Sequence, residues 1–220
     1  MPFPEWPGQA LAAAALLAGL LLLDAIRRAD WQAPMGQHLY WASATALLWA
    51  ARHMTVTLPG GLTLQYMGAA WLTLLLGYPR AVVSMALVFG AEALAGDDPM
   101  LAAAPSLLLL GILPAWLIWQ VATQCRRRLP ANLFVFLLGV GFLGLFATYA
   151  LSLLLAAGLT ALIGGPSAPA YWETMLPYAL LLATGETWLE GMMTTLLVVF
   201  APGAVRLFDE RFYLSRPPQG

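Results

Sequence analysis

Long apolar segments dominate the chain, and short stretches rich in charge, proline or glycine separate them. A transmembrane helix needs about 20 mostly apolar residues to cross a hydrocarbon core about 30 Å thick. Seven segments approach this requirement. The pattern therefore predicts an all-α, polytopic membrane domain over residues 1–203 and a cytoplasmic tail over residues 204–220. The predicted spans cover residues 8–23, 39–58, 62–76, 81–95, 101–122, 133–163 and 171–201.

The positions of the arginines predict how these spans are oriented. All ten basic residues are arginines, and nine of them follow the first, third, fifth or seventh predicted span. The nine are Arg27, Arg28, Arg80, Arg126, Arg127, Arg128, Arg206, Arg211 and Arg216. Loops that face the cytoplasm carry the excess of positive charge. We therefore expect an N-terminus outside, a C-terminus in the cytoplasm, and location in a bacterial inner membrane.

The composition excludes several classes of protein. The chain is 61% hydrophobic and 10% charged, with a mean hydropathy of +0.77, whereas soluble domains contain about 25% charged residues. A formal net charge of −1 argues against a nucleic-acid partner. The sequence contains no P-loop, dinucleotide-binding glycine pattern, zinc-protease motif or nucleophile elbow, so we expect no enzymatic activity. Any ATP-driven transport would need a separate ATPase subunit.

Five ionisable residues fall well inside predicted spans: Arg52, His53, Glu92, Glu186 and Glu190. Each costs about 2.5–3.5 kcal/mol on membrane-insertion scales, so each needs a structural or functional reason. Glu186 and Glu190 are one helical turn apart and project from one face, where they repel unless a proton or a cation lies between them. Three interpretations remain open. In the first, Arg52 pairs with a buried carboxylate, preferably Glu186 or Glu190, and so joins the second span to the seventh or the fourth. In the second, the carboxylates line a cation or proton path, and in the third a glutamate reaches the membrane interface.

Other polar or sulfur-containing residues are weaker candidates for a substrate pathway. Gln65 and Gly68 would share one face of a helical third span, which would direct Gln65 into the protein interior. His53, Met67 and Glu190 are the candidate metal ligands. A single histidine in a membrane helix is more often a hydrogen-bonded packing residue, and methionine is more often adaptable packing material. No resident cofactor is expected.

Several short stretches together resemble the CbiM/NikM family. They are Met-Pro-Phe-Pro-Glu at 1–5, Pro-Gly-Gly-Leu-Thr-Leu-Gln-Tyr-Met-Gly-Ala-Ala at 59–70, Leu-Leu-Gly-Tyr-Pro-Arg-Ala at 75–81, Gly-Asp-Asp at 96–98 and Glu-Gly-Met-Met-Thr at 190–194. The resemblance implies a substrate-capture membrane subunit of an energy-coupling-factor transporter for cobalt or nickel. It also implies a seven-span layout, a divalent transition-metal ion as substrate, and partners comprising an ATPase and a coupling transmembrane subunit.

The metal site that the resemblance implies is altered in this sequence. In the family, the N-terminal amine, the amide and imidazole nitrogens of the second residue, and a later histidine bind the metal. Here the second residue is Pro2, which has neither an imidazole nor an amide proton, and Gln65 takes the place of the later histidine. We therefore expect no tight nickel or cobalt site at the N-terminus.

Three functional interpretations follow from this pattern. The first is a CbiM-like permease component for divalent cation uptake. The second is a CbiM-like protein that has lost the metal site and serves as an accessory or assembly subunit of a membrane complex. The third is a proton- or copper-linked carrier that uses Glu186, Glu190, His53 and the methionines.

Overall fold

A computed structural model describes residues 6–57, 63–96, 100–164 and 168–214. Pro2, the Pro-Gly-Gly turn at 59–61, the Asp97–Asp98 pair and Arg216 therefore lie outside the described residues. Within those ranges the regular secondary structure is helical, apart from one antiparallel pairing between two strands of two residues each. The helices are α1 (Gly8–Arg28), α2 (Met35–Arg52), α3 (Ala69–Leu76), α4 (Tyr78–Ala95), α5 (Ala103–Arg128), α6 (Val135–Ile163), α7 (Ala168–Phe200) and α8 (Glu210–Leu214), and the strands are β1 (Val56–Thr57) and β2 (Thr63–Leu64).

The first seven helices follow the order of the predicted spans, and four of them are clear candidates to cross a membrane. Within the described ranges, α1, α4, α5 and α6 are long and apolar enough by length and composition. Two of these contain wide π-helical turns, over residues 107–112 in α5 and 135–144 in α6. Pro114 explains the first wide turn, because its ring has no amide hydrogen and clashes with the carbonyl one turn earlier.

The third predicted span differs from the prediction. Only α3 is helical there, and its eight residues measure about 12 Å. Residues 63–68 before it are not helical. The expectation that Gln65 and Gly68 share one face of a helix is therefore wrong. Gly68 adopts a φ of 64°, a left-handed conformation that glycine tolerates, and it forms the junction between the non-helical segment and α3.

The non-helical segment and α3 together have the length of a membrane span. Six residues measure at most about 20 Å when fully extended, and α3 adds about 12 Å. Non-helical backbone is tolerated at membrane depth only where protein buries it. Met67 and Gly68 are buried, as are Ala69 and Ala70 at the start of α3. The surrounding helices therefore shield the junction at residues 67–70.

One end of the bundle gathers most of the helix ends that carry arginine, the exception being Arg52 at the end of α2. Arg80 donates a hydrogen bond of 2.7 Å to the carbonyl of Asp30, which joins the start of α4 to the loop after α1. Leu207, after α7, donates its amide to the carbonyl of Leu74 at 3.1 Å and so satisfies the C-terminal end of α3. Arg126 at the end of α5 forms an ion pair of 2.7 Å with Asp209.

At the opposite end of the bundle, two contacts join helix ends that are distant in sequence. The Trp6 indole donates to the Thr160 hydroxyl at 3.4 Å, which joins the start of α1 to the end of α6. Arg52 at the end of α2 contacts Glu92 near the end of α4. The helices therefore alternate in direction, as the arginine pattern predicts for successive crossings.

The chain after α7 packs back onto the bundle. Phe208 and Tyr213 are buried, their rings stack 5.4 Å apart, and both contact the ring of Phe136 on α6. Burial raises the pKa of the Tyr213 hydroxyl. These aromatic contacts, with the Arg126–Asp209 ion pair, hold the tail against the arginine-bearing end.

Candidate functional site

The peptide group between Tyr66 and Met67 lies between a buried cation and a buried carboxylate. Arg52 donates from Nη1 to the Tyr66 carbonyl at 2.8 Å. The Met67 amide donates to both carboxylate oxygens of Glu186, at 3.0 and 3.1 Å. Because this segment is not helical, its backbone groups need partners from elsewhere in the protein. Arg52 and Glu186 supply partners for this peptide group and so join the segment to α2 and α7.

Arg52 forms its ion pair with Glu92. Its Nε and Nη2 atoms donate to the two carboxylate oxygens at 2.7 and 2.9 Å, and its guanidinium carbon lies 4.5 Å from the centre of the Phe89 ring. The preference for Glu186 or Glu190 as partner was therefore wrong. Helix α2 packs against α3 and α4, so the end of α2 meets a carboxylate of α4 before it can reach α7.

Glu190 accepts hydrogen bonds from two tyrosines. The Tyr66 hydroxyl lies 2.6 Å from Oε1, and the Tyr149 hydroxyl lies 2.9 and 2.8 Å from Oε1 and Oε2. The Trp71 amide in turn donates to the Tyr149 hydroxyl at 3.5 Å. Sequence reasoning missed both tyrosines. A tyrosine inside an apolar helix is the signal that could have found Tyr149, because a buried hydroxyl needs a partner.

Glu186 and Glu190 therefore form a buried carboxylate pair on one face of α7, as their spacing predicted. Their exposed fractions are 4% and 1%. The hydrogen bonds described above reach them from an amide and two hydroxyls, all of them neutral donors. Among the described residues no ion pair joins either carboxylate to an arginine or histidine. Two buried carboxylates with neutral partners can hold a proton or a cation, because either one relieves their repulsion.

Of the other candidate residues, Met67 and Gln65 lie in the segment that contacts this pair, whereas His53 lies at the protein surface. Met67 has a buried side chain, and Gln65 is half-buried two residues earlier. His53 is exposed, its Nδ1 lies 2.8 Å from the Trp49 carbonyl, and its ring packs against the Trp49 ring. Within the part of the chain that the structure describes, no group of three or more histidine, cysteine, aspartate or glutamate residues could hold a metal ion.

A cavity of about 370 Å³ lies between α2 and α7 and borders Glu190. Tyr66, Trp71 and Glu190 form part of its lining, and the other lining residues are apolar side chains of α2 and α7 with Met54. The cavity thus brings one of the two carboxylates to the edge of an accessible space.

Comparisons with known proteins give one match. A family model described as "CbiM: Cobalt uptake substrate-specific transmembrane region" matches residues 6–204 of the 220. This match confirms the resemblance drawn from the short motifs. No curated protein and no solved structure matches the chain.

Proposed function

Because the chain belongs to the CbiM family of cobalt uptake transmembrane components, we propose that it is the membrane-embedded capture subunit of a divalent cation uptake system. Family membership makes it a membrane protein and a transporter component. The proposal adds that it works with separate ATPase and coupling transmembrane subunits.

The buried Glu186–Glu190 pair is the observation that supports this proposal most. A divalent cation carries two positive charges, which would balance the two carboxylates in a region of low dielectric. The cavity between α2 and α7 borders Glu190. The extended segment at Tyr66 and Met67 supplies further polar atoms beside the pair. The two carboxylates would then provide the charge that draws the cation out of water.

The proposed topology has seven crossings in the bacterial plasma membrane, with the N-terminus outside and the C-terminus in the cytoplasm. The alternating helix directions support it, as does the concentration of arginines at one end of the bundle. The third crossing would consist of the non-helical residues 63–68 followed by α3. Residues 204–220 would form a tail on the cytoplasmic face.

Uptake of radiolabelled cobalt by cells would test the proposal. The cells would express the chain together with separate ATPase and coupling transmembrane subunits. Replacing both carboxylates, Glu186→Gln with Glu190→Gln, should reduce uptake at least about tenfold, since a lost buried ion contact is worth more than 1.4 kcal/mol. Glu173→Gln is the matched control, because Glu173 is an exposed carboxylate on the same helix. Equal uptake by the wild type and the double variant would contradict the proposed role.

A second candidate function is an accessory or assembly subunit that binds no metal. The observation that favours it is the lack of a histidine-, cysteine- or carboxylate-rich group of three among the described residues, together with glutamine at position 65. Under this alternative, cells lacking the chain would lose a membrane complex, and the chain would not increase cobalt uptake in any combination of subunits.

A further inference from the structure

A cleft of about 510 Å³ opens at the arginine-bearing end of the bundle, between α5 and the chain that follows α7. Trp119 and Arg126 line it from α5, and residues 202–203 and 206–211 line it from the other side. Its volume lies in the range of about 300–1,000 Å³ that is usual for sites that bind small molecules. Three arginines and two carboxylates are among its lining residues, which distinguishes it from the mostly apolar cavity between α2 and α7.

One of the three arginines, Arg126, is already paired within the protein. Its guanidinium forms the ion pair with Asp209 and lies 5.4 Å from the centre of the Phe212 ring. The other carboxylate oxygen of Asp209 accepts a hydrogen bond from the Phe212 amide at 3.1 Å. Both oxygens of Asp209 therefore have partners, and this carboxylate does not neutralise the other two arginines of the cleft.

The other two arginines, Arg206 and Arg211, offer unpaired guanidinium groups. Both residues are exposed. Neither guanidinium forms a hydrogen bond or an ion pair with any residue of the described ranges. Glu210 is the remaining carboxylate of the lining, so the arginines outnumber the carboxylates. The cleft therefore has an excess of positive charge and free donors for an anion.

The backbone holds Arg206 at the junction between α3 and α4. Its amide donates to the carbonyl of Leu75 at 3.3 Å. Its side-chain Cδ would lie 3.2 Å from a Cβ at position 77, so the aliphatic stem of Arg206 packs directly on Gly77. A side chain whose stem is already positioned loses less conformational freedom when its charged group binds a ligand.

The cleft lies at the level expected for lipid headgroups. The Trp119 ring lies 5.7 Å from the Tyr78 ring, and tryptophan and tyrosine concentrate where a membrane meets water. Helix α5 ends at Arg128, two residues after Arg126. In the proposed topology this end faces the cytoplasm, where the leaflet is rich in anionic lipids, and basic pockets between helices on that side bind their headgroups.

We propose that this cleft binds the phosphodiester headgroup of an anionic phospholipid, with Arg206 and Arg211 donating to the phosphate oxygens. The planar guanidinium group matches the geometry of phosphate and remains charged at every physiological pH. A lipid fits better than a soluble phosphate, because the cleft is level with the headgroups and the acyl chains can stay in the membrane. This inference does not depend on the cargo of the subunit.

Native mass spectrometry of the purified full chain in detergent tests the binding. The probes are dioleoyl phosphatidylglycerol and dioleoyl phosphatidylcholine, which share their acyl chains and phosphate but differ in net charge. The wild type should bind phosphatidylglycerol at least about tenfold more tightly, since each arginine near an anionic lipid contributes about fivefold. Equal affinity for the two lipids would overturn the inference.

Two matched double variants separate a built site from a generally positive surface. Arg206→Gln with Arg211→Gln should reduce the preference for phosphatidylglycerol to about threefold or less. Arg127→Gln with Arg128→Gln removes the same charge from the exposed end of α5, outside the lining of the cleft, and should keep the wild-type preference. An equal loss in both double variants would overturn the inference.

The melting temperature without lipid checks folding. Both double variants should melt with the wild type, because all four arginines are exposed. Should the cleft variant melt lower, Arg211→Gln alone provides the same test, with an expected loss of at least about threefold in affinity for phosphatidylglycerol.

Other occupants of the cleft would give different results. Glycerol 3-phosphate that binds as tightly as phosphatidylglycerol would overturn the choice of a lipid and indicate a soluble phosphate compound. A cleft variant that binds phosphatidylglycerol like the wild type, but no longer copurifies with a coupling transmembrane subunit, would overturn the inference and indicate an acidic protein partner.

Discussion

The Arg52–Glu92 ion pair should be one of the largest single contributions of a side chain to the stability of the bundle. Arg52→Ala removes two charge-assisted hydrogen bonds to Glu92, one hydrogen bond to the Tyr66 carbonyl, and the contact with the Phe89 ring. The Arg52 side chain is 4% exposed, and that of Glu92 is 21% exposed. The substitution therefore leaves a largely desolvated carboxylate and a backbone carbonyl without partners.

The expected loss is about 3 kcal/mol, at the lower end of the range for breaking a buried ion pair, because water still reaches Glu92. For a chain of this length, a loss of that size lowers the melting temperature by roughly 6–12 °C. Arg28→Ala is the matched control. Its ion pair with Asp24 is exposed on α1, so its removal should change stability by about 0.5 kcal/mol or less.

Thermal unfolding in detergent, followed by intrinsic tryptophan fluorescence, would measure these effects. A double-mutant cycle with Glu92→Ala adds a direct test of the pairing. The double variant should be more stable than the sum of the single losses predicts by at least about 1 kcal/mol, as expected for residues in contact. An unchanged melting temperature for Arg52→Ala, or additive losses with Glu92→Ala, would refute the assignment of this pair.

Three further predictions concern the junction before α3, the topology and the N-terminus. Gly68→Ala should lower the free energy of unfolding by at least about 1 kcal/mol, because Gly68 has a positive φ and a Cβ there would collide with Leu48. Gly19→Ala, at an open position of α1, is the control and should not lower it. A Gly68→Ala variant as stable as the wild type would contradict the described backbone. A cysteine at Ala131, on a background without Cys125, should resist an impermeant thiol reagent added outside intact cells, and its labelling from outside would overturn the proposed orientation. Titration calorimetry with Ni²⁺ should find no sub-micromolar site formed by the N-terminal amine, because proline at position 2 has no amide proton. A sub-micromolar site that an N-terminal extension abolishes would contradict that prediction.

The hydropathy pattern predicted the order of the helices because a single physical requirement, internal backbone hydrogen bonding within lipid, determines it. Each apolar segment must bury its backbone hydrogen bonds in a helix. The same reasoning failed at residues 65–68, where apolar composition does not distinguish a helix from extended chain enclosed by other helices. The positive φ of Gly68 and the backbone contacts of Met67 became visible only in three dimensions.

The candidate site could be predicted only in part. Helical spacing was enough to place Glu186 and Glu190 on one face, because both residues belong to the same helix. The partner of Arg52 depends on which helices are neighbours, and hydropathy does not encode that order, so Glu92 was not preferred. Tyr149 was missed because a single tyrosine in an apolar helix resembles ordinary packing until its hydroxyl is located beside Glu190.

Elemental analysis of the purified full-length protein by mass spectrometry tests most directly whether the carboxylate pair holds a cation. Wild-type protein, prepared without chelator, should contain close to one divalent metal ion per chain. The Glu186→Gln, Glu190→Gln double variant should contain less than about a tenth of that amount, because the charge that balances the ion is gone. A wild-type preparation without metal, or equal metal in both preparations, would contradict the account.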